Sequence, residues 1–374
     1  MDSVKTMGAE ISLNNGAKRQ KISVFQLDDF PDEIILNVLR NLDVKDLLRC
    51  ARLCKRIYAI CQDDSLYQKV NLCIYKVSSK FVKWVLEKGC QHLSIKTSKF
   101  EGELLLKKVS KVKSLDLFNC DADEENLQVL LKSCNSLQNV TLKHFTKEIK
   151  TPFSNEMGTT FYVFKSNQGV CAKLFFNGRL AQTICSQNGN TLKTLHVSGA
   201  QMKFIKSIVD NCVELTELNL VNSMLNKEEI FYLVDNLTPK IEKLNLHHVD
   251  KVNDDHIEIL VQRCNKLKVL DLRRTAVGKD SLNFIVQHLK LLEELYTNLN
   301  YTEISTNLHR LDFIPKLRSF SMKWNELTLT KEEQKCFKKQ LPKLKKIQFV
   351  EEEEPLPKGL EGNQICLTFQ TFEV

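Results

Sequence analysis

Catalytic signatures are missing from this 374-residue chain. It has no Gly-x-Ser-x-Gly, no phosphate-cradling glycine loop and no His-Glu-x-x-His. Its 12 glycines are few and form no such loop. No apolar run approaches the roughly 18 residues that a membrane span needs. The opening residues, MDSVKTMGAEISLNNGAKRQK, hold no apolar core, so no secretory signal is expected. No two cysteines stand as Cys-x-x-Cys, which argues against a zinc site. These absences predict no catalytic residue, no metal and no cofactor. They also predict a cytoplasmic or nuclear setting, in which the 13 cysteines are reduced and mostly buried.

Charge of both signs is plentiful. Lys and Arg number 54 against 46 Asp and Glu, a net +8, and 43% of residues are hydrophobic. That is ordinary for a folded protein. The positive surplus permits an acidic partner without demanding one. No RNA-binding signature or zinc finger appears, so no nucleic-acid partner is expected, and the lack of a spanning run leaves no membrane partner expected either. Residues 1–24 are polar and aperiodic and read as a disordered tail. Within them Lys18-Arg19-Gln20-Lys21 is either a nuclear import signal or a solvated linker.

Residues 25–68 read as three short helices. Pro31 suits a first helical position, and Asp32 and Glu33 suit the first turn. Ile34, Ile35, Val38, Leu39 and Leu42 recur at helical spacing. Asp43 reads as the N-cap of a second helix bearing Leu47, Leu48, Ala51 and Cys54. A third helix carries Ile57, Tyr58, Ile60 and Cys61. About forty residues lie near the lower limit for independent folding. The apolar surplus therefore calls for a partner, or for a neighbouring domain to pack against.

Four segments here resemble the F-box family in register: Phe30-Pro31-Asp32-Glu33, Asp46-Leu47-Leu48, Leu53 to Tyr58, and Asp64-Ser65-Leu66-Tyr67. The departures are Phe30 for Leu, and Ile57 and Tyr67 for Trp; all keep apolar bulk. The resemblance implies docking onto the Skp-type adaptor of a cullin ubiquitin ligase. The implied adaptor contacts are Phe30, Pro31, Ile34, Val38, Leu42, Leu47 and Leu48.

From residue 69 to 350 a pattern apolar-x-x-apolar-x-apolar returns. It occurs at Val112 to Leu117, Leu137 to Leu142, Leu192 to Val197, Leu215 to Leu220, Ile241 to Leu246, Leu267 to Leu272, Leu317 to Met322 and Leu344 to Phe349. Successive copies stand 25, 55, 23, 26, 26, 50 and 27 residues apart, so the period is near 26 and two gaps are double. A partial copy, Leu292 to Tyr296, falls inside the second. A period of this length is a leucine-rich repeat. Between copies, apolar residues recur at helical spacing, as in Leu127, Leu130, Leu131, Cys134 and Ile257, Leu260, Val261, Cys264. The expected fold is α/β: the three-helix head, then a curved solenoid of about ten repeats, with parallel strands inside and helices outside. Residues 146–190 are irregular and hold either a degenerate repeat or an inserted hairpin. Residues 351–374 open with Glu351 to Glu354 and form an acidic tail or a cap; Ile365 to Phe369 is strand-like.

Equivalent positions of stacked strands form columns. One runs Asn219, Asn245, Asp271; the next Val221, His247, Arg273; the third Asn222, His248, Arg274. His247, His248, Arg273 and Arg274, with Asn245 and Asp271, are thus expected to cluster on the concave face. Arginine forks bind carboxylate or phosphate, so the cluster reads as a site for an acidic or phosphorylated client segment. The competing reading is a solvated face balanced by Asp250 and Asp271. The resulting expectation is a non-catalytic substrate receptor of a ubiquitin ligase; the alternative is a non-degradative binding scaffold.

Overall fold

The computed structural model describes residues 30–73, 76–96, 99–106, 108–118, 120, 122, 124–143, 145–148, 161–166, 169–174, 178–197, 202–299, 314–323, 339, 344–350 and 369–373. The expected tail, the run Glu351 to Glu354, and residues 365–368 lie outside them.

The head is three helices and a 3-10 turn. Helix α1 (Asp32–Leu39) begins one residue later than expected: Pro31 is its N-cap, in extended conformation at ψ 153°. Asp43 caps α2 (Val44–Cys50) by accepting the Asp46 N–H at 2.8 Å. Cys54 caps α3 (Lys55–Ile60) through its sulfur. After the turn Asp64–Tyr67, the chain enters the repeats with β1 (Lys69–Leu72), β2 (Lys76–Ser78), α4 (Ser79–Glu87), β3 (His92–Lys96), β4 (Lys99–Glu101), β5 (Ser114–Phe118), α5 (Glu124–Ser133) and β6 (Asn139–Lys143). Then come β7 (Phe145–Glu148), β8 (Phe161–Ser166), β9 (Gly169–Leu174), α6 (Gly178–Asn188), β10 (Thr194–Val197), α7 (Met202–Asn211), β11 (Glu217–Asn219) and α8 (Lys227–Asn236). The described chain closes with β12 (Lys243–Asn245), α9 (Asp254–Arg263), β13 (Val269–Asp271), α10 (Asp280–His288), β14 (Glu294–Tyr296), β15 (Ser319–Lys323), β16 (Lys346–Val350) and β17 (Phe369–Glu373).

Twelve strands make one sheet in the order β1-β3-β5-β6-β10-β11-β12-β13-β14-β15-β16-β17. All neighbours are parallel except the last pair. Parallel pairing follows because each return crosses the outer layer. Register puts like on like: Leu218, Leu244 and Leu270 stand opposite one another and are buried. Helices α5 to α10 form one row, each packed on the next. Their apolar stripes, such as Ile257, Leu260, Val261 and Cys264, are fully buried against the strands. Each leucine so buried contributes about 2 kcal/mol, and no single repeat closes a core alone.

Both long gaps resolve. Strand β6 pairs directly with β10, so the 55-residue interval holds no further rung of the sheet. It holds α6 and an inserted three-stranded antiparallel sheet, β7-β9-β8. Its strands pair with one another and not with the main sheet. The second gap is filled by β14, where the partial copy lies. Strand β17 caps the sheet by pairing antiparallel with β16; of the strand-like stretch expected at 365–369, Phe369 falls in it.

Candidate functional site

Two surfaces carry the expected site residues. On the head, α1 divides its apolar residues between two faces. Ile35 and Leu39 are buried, whereas Ile34 is 46% and Val38 61% exposed. Phe30 and Leu48 are also exposed, as is Pro31. Leu42 is half-buried against the core. Leu47 corrects the expectation: it is 1% exposed, because α2 turns that side inward, and the Cys61 thiol donates to its carbonyl. Leu47 is a core residue of the head rather than a docking contact. Leu53 and Tyr58, at 71% and 56% exposed, are further exposed apolar residues of the head and were missing from the expected contacts. Their signal was present: neither falls on the buried stripe of Ile57, Ile60 and Cys61.

The head is held firmly to the array. Arg56 bonds Asp32 at 2.8 Å and the Phe30 carbonyl at 2.6 Å, tying α3 to the start of α1. Lys88, the C-cap of α4, reaches back to the Gln62 carbonyl at 2.7 Å and to Asp64 at 3.0 Å. Tyr67 stands edge-on to Trp84 at 4.8 Å and donates to the Cys61 carbonyl. The apolar interiors of head and array are one continuous cluster.

On the strand face the three columns form as expected. Asn219, Asn245 and Asp271 are register partners. Each side chain accepts the N–H two residues ahead, at 3.1, 2.8 and 3.1 Å. The chain then bends through Asn222, His248 and Arg274, all left-handed at φ 57°, 59° and 54°. This repeated Asx turn ends the strand and carries the ladder onward, with His248 N–H bonded to the Arg273 carbonyl at 2.9 Å. Asn245 and Asp271 thus spend an acceptor on their own turns.

The cations in the cluster are largely answered from within. Arg273 grips Asp271 with both arms, at 2.9 and 2.6 Å, and its guanidinium lies 5.0 Å from the ring centre of Tyr296. The Arg273 pKa is raised: burial pulls it down, but the hydrogen bond and charge of Asp271 outweigh that. His247 is pushed down to about 4, by burial first and then by Arg273, Arg274 and His248, against the pull of Asp271. It is therefore neutral near pH 7. His248 bonds Asn222 at 2.7 Å and faces Asp250 at 3.5 Å. Arg274 makes no ion pair among the described residues. The structure brings all six expected residues together, but the anion-binding capacity of the cluster narrows to Arg274. Further along the face, Glu217 bridges His196 at 2.7 Å and Lys243 at 3.2 Å.

Residues 27–73 match the family described as F-box-like. Among solved structures, the chain is similar to the leucine-rich repeat-containing protein LegL7 from Legionella pneumophila: 12% identity, 78% of this chain and 88% of that one covered, TM-score 0.43. It is also similar to an internalin, inlF, from Listeria monocytogenes: 12% identity, 71% and 77% covered, TM-score 0.35. The repeat architecture itself rests on the strand register and helix row of this chain.

Proposed function

We propose, for a chain that joins an F-box-like domain to a leucine-rich-repeat solenoid, that it is the substrate receptor of a Skp–cullin–F-box ubiquitin ligase. F-box domains generally bind Skp-type adaptors, and such arrays are generally non-catalytic interaction surfaces. The observation that carries the reading is the exposed apolar surface of the head. Ile34, Val38, Leu48, Leu53 and Tyr58 stand exposed on a module whose Ile35, Leu39, Val44, Leu47, Ile57 and Ile60 are packed. That much exposed apolar surface in one small module marks an interface. In this reading the head docks the adaptor, the adaptor connects to a cullin, and a separate enzyme transfers ubiquitin. The concave strand face holds the client protein, and Arg274 meets an acidic or phosphorylated group on it.

Co-purification with the Skp-type adaptor tests the docking. Ile34→Glu plus Val38→Glu changes exposed side chains, so the fold survives and stoichiometric binding is lost. Absence of binding by folded wild-type protein removes the ligase reading and leaves a binding scaffold. Client stabilisation on removal of the receptor tests the degradative role, and an unchanged client half-life refutes it. Arg274→Glu should weaken client capture; unchanged capture removes the anion-recognition role.

A further inference from the structure

Residues 69–113 contain eleven lysines, no arginine and three glutamates. That surplus equals the net +8 of the entire chain. Part of it lies on one strip of the outer layer. At the start of α4, Ser79 donates to the Gly102 carbonyl at 2.6 Å. Asn126 of α5 donates to the same carbonyl at 3.1 Å and accepts the Leu104 N–H at 2.7 Å. The Ser110 N–H bonds the Ser133 carbonyl, at the end of α5, at 2.8 Å. Residues 102–106 and 108–110 therefore lie alongside α5, in the layer where later repeats have a helix. On this strip, Leu105 is 60% and Val109 61% exposed, and Lys108 is exposed beside them. Lys80 and Lys83 lie on α4, off its buried stripe of Val82, Val85 and Leu86. Lys111 runs past Gly89, just beyond α4, its Cδ 3.8 Å from where a Cβ there would sit. Lys76, Lys88 and Lys96 are paired with Glu101, Asp64 and Asp116. Lys80, Lys83, Lys108 and Lys111 make no ion pair among the described residues.

We propose that this strip is a peripheral docking surface for an anionic lipid bilayer. Lysine is a hydrated point charge that attracts diffuse negative charge without demanding a shape. Recognition of nucleic acid favours arginine forks and exposed aromatic platforms; the segment has no arginine, and Phe81 and Trp84 are only half-exposed and stacked on each other. Two aliphatic side chains standing out among lysines suit the boundary between headgroups and acyl chains. The expectation of no membrane partner rested on the lack of a spanning segment, and peripheral docking needs none. None of the strip's residues belongs to the head's exposed apolar set, so separate variants test this proposal and adaptor binding.

The test is flotation of the full chain with vesicles of phosphatidylcholine alone, or with about a third phosphatidylserine. Binding is expected to the anionic vesicles only, and salt weakens it. Each lysine near such a surface is worth about fivefold in binding. Lys80→Gln, Lys83→Gln, Lys108→Gln and Lys111→Gln together therefore lower it about 600-fold. Leu105→Ser plus Val109→Ser weakens binding while leaving its salt dependence. Lys266→Gln plus Lys316→Gln, on exposed sites of later repeats, leaves it unchanged. Circular dichroism of each variant confirms the fold. No flotation by the wild type, or equal flotation by the quadruple variant, overturns the proposal. So does capture of the wild type by single-stranded RNA or polyglutamate without flotation.

Discussion

Asp271 performs two tasks that substitution separates. Its carboxylate accepts the Arg273 backbone N–H, as Asn219 and Asn245 do in the two preceding repeats. It also holds the Arg273 guanidinium in a pair whose side chains are only 16% and 6% exposed. Asp271→Asn keeps the turn acceptor and removes the charge. A half-buried guanidinium left without its carboxylate costs about 2 kcal/mol, below the full range for a buried pair because it retains some water and the Tyr296 ring. Asp271→Ala removes the turn bond as well, adding about 1 kcal/mol. The expected order is therefore wild type, then Asn, then Ala, with losses of about 2 and about 3 kcal/mol. Urea unfolding followed by circular dichroism measures both. In a double-mutant cycle with Arg273→Met, the coupling should be about 2 kcal/mol. An Asn variant as stable as wild type refutes the ion-pair argument. An Ala variant no worse than Asn refutes the turn argument.

Stability should fall as pH drops from about 6.5 toward 4, because folding lowers the pKa of His247, to about 4, and of buried His256. The unfolded chain then binds more protons than the folded one. A pH series of unfolding midpoints should show this fall, and His247→Gln should flatten it; an unchanged slope contradicts the assignment. Leu47→Ala should destabilise the head by about 3 kcal/mol, whereas Ile34→Glu plus Val38→Glu leaves the melting temperature within a degree or two; equal melting losses would mean that α1 and α2 are turned otherwise. Gly189→Ala should lower stability by about 2 kcal/mol or more, since its Cβ would approach the Asn211 carbonyl where α6 and α7 meet; a neutral effect in thermal unfolding would deny that close approach.

The repeats were legible because burial imposes a period. Leu218, Leu244 and Leu270 must recur for the layers to stack, and their spacing exposes the rungs without further knowledge. The inserted sheet β7-β9-β8 was legible only as an interruption, since nothing in the array's period specifies its form. The columns at 219, 221 and 222 were placed correctly by counting. What counting missed is that side chains in a column bond one another and their own backbone. Asp271 turned out to belong to Arg273, and His247 to be neutral. Leu47 shows the same limit on the head: a family motif marks Asp46-Leu47-Leu48 as a unit, but a helix sends adjacent residues to different sides.

A solenoid is a one-dimensional stack, and a stack needs a different unit at each end or it keeps recruiting copies. Here the two terminators are unlike. At the far end β17 reverses direction and occupies the hydrogen-bonding row of β16. At the near end α2 packs on β1, so the helical head doubles as the stopper. Removing the head to study the array alone would unseal its first rung, and residues such as Val70 and Leu72 would lose that cover. The head and the closure of the first rung are thus inseparable, and an array shortened at residue 69 should associate with itself rather than remain a clean monomer.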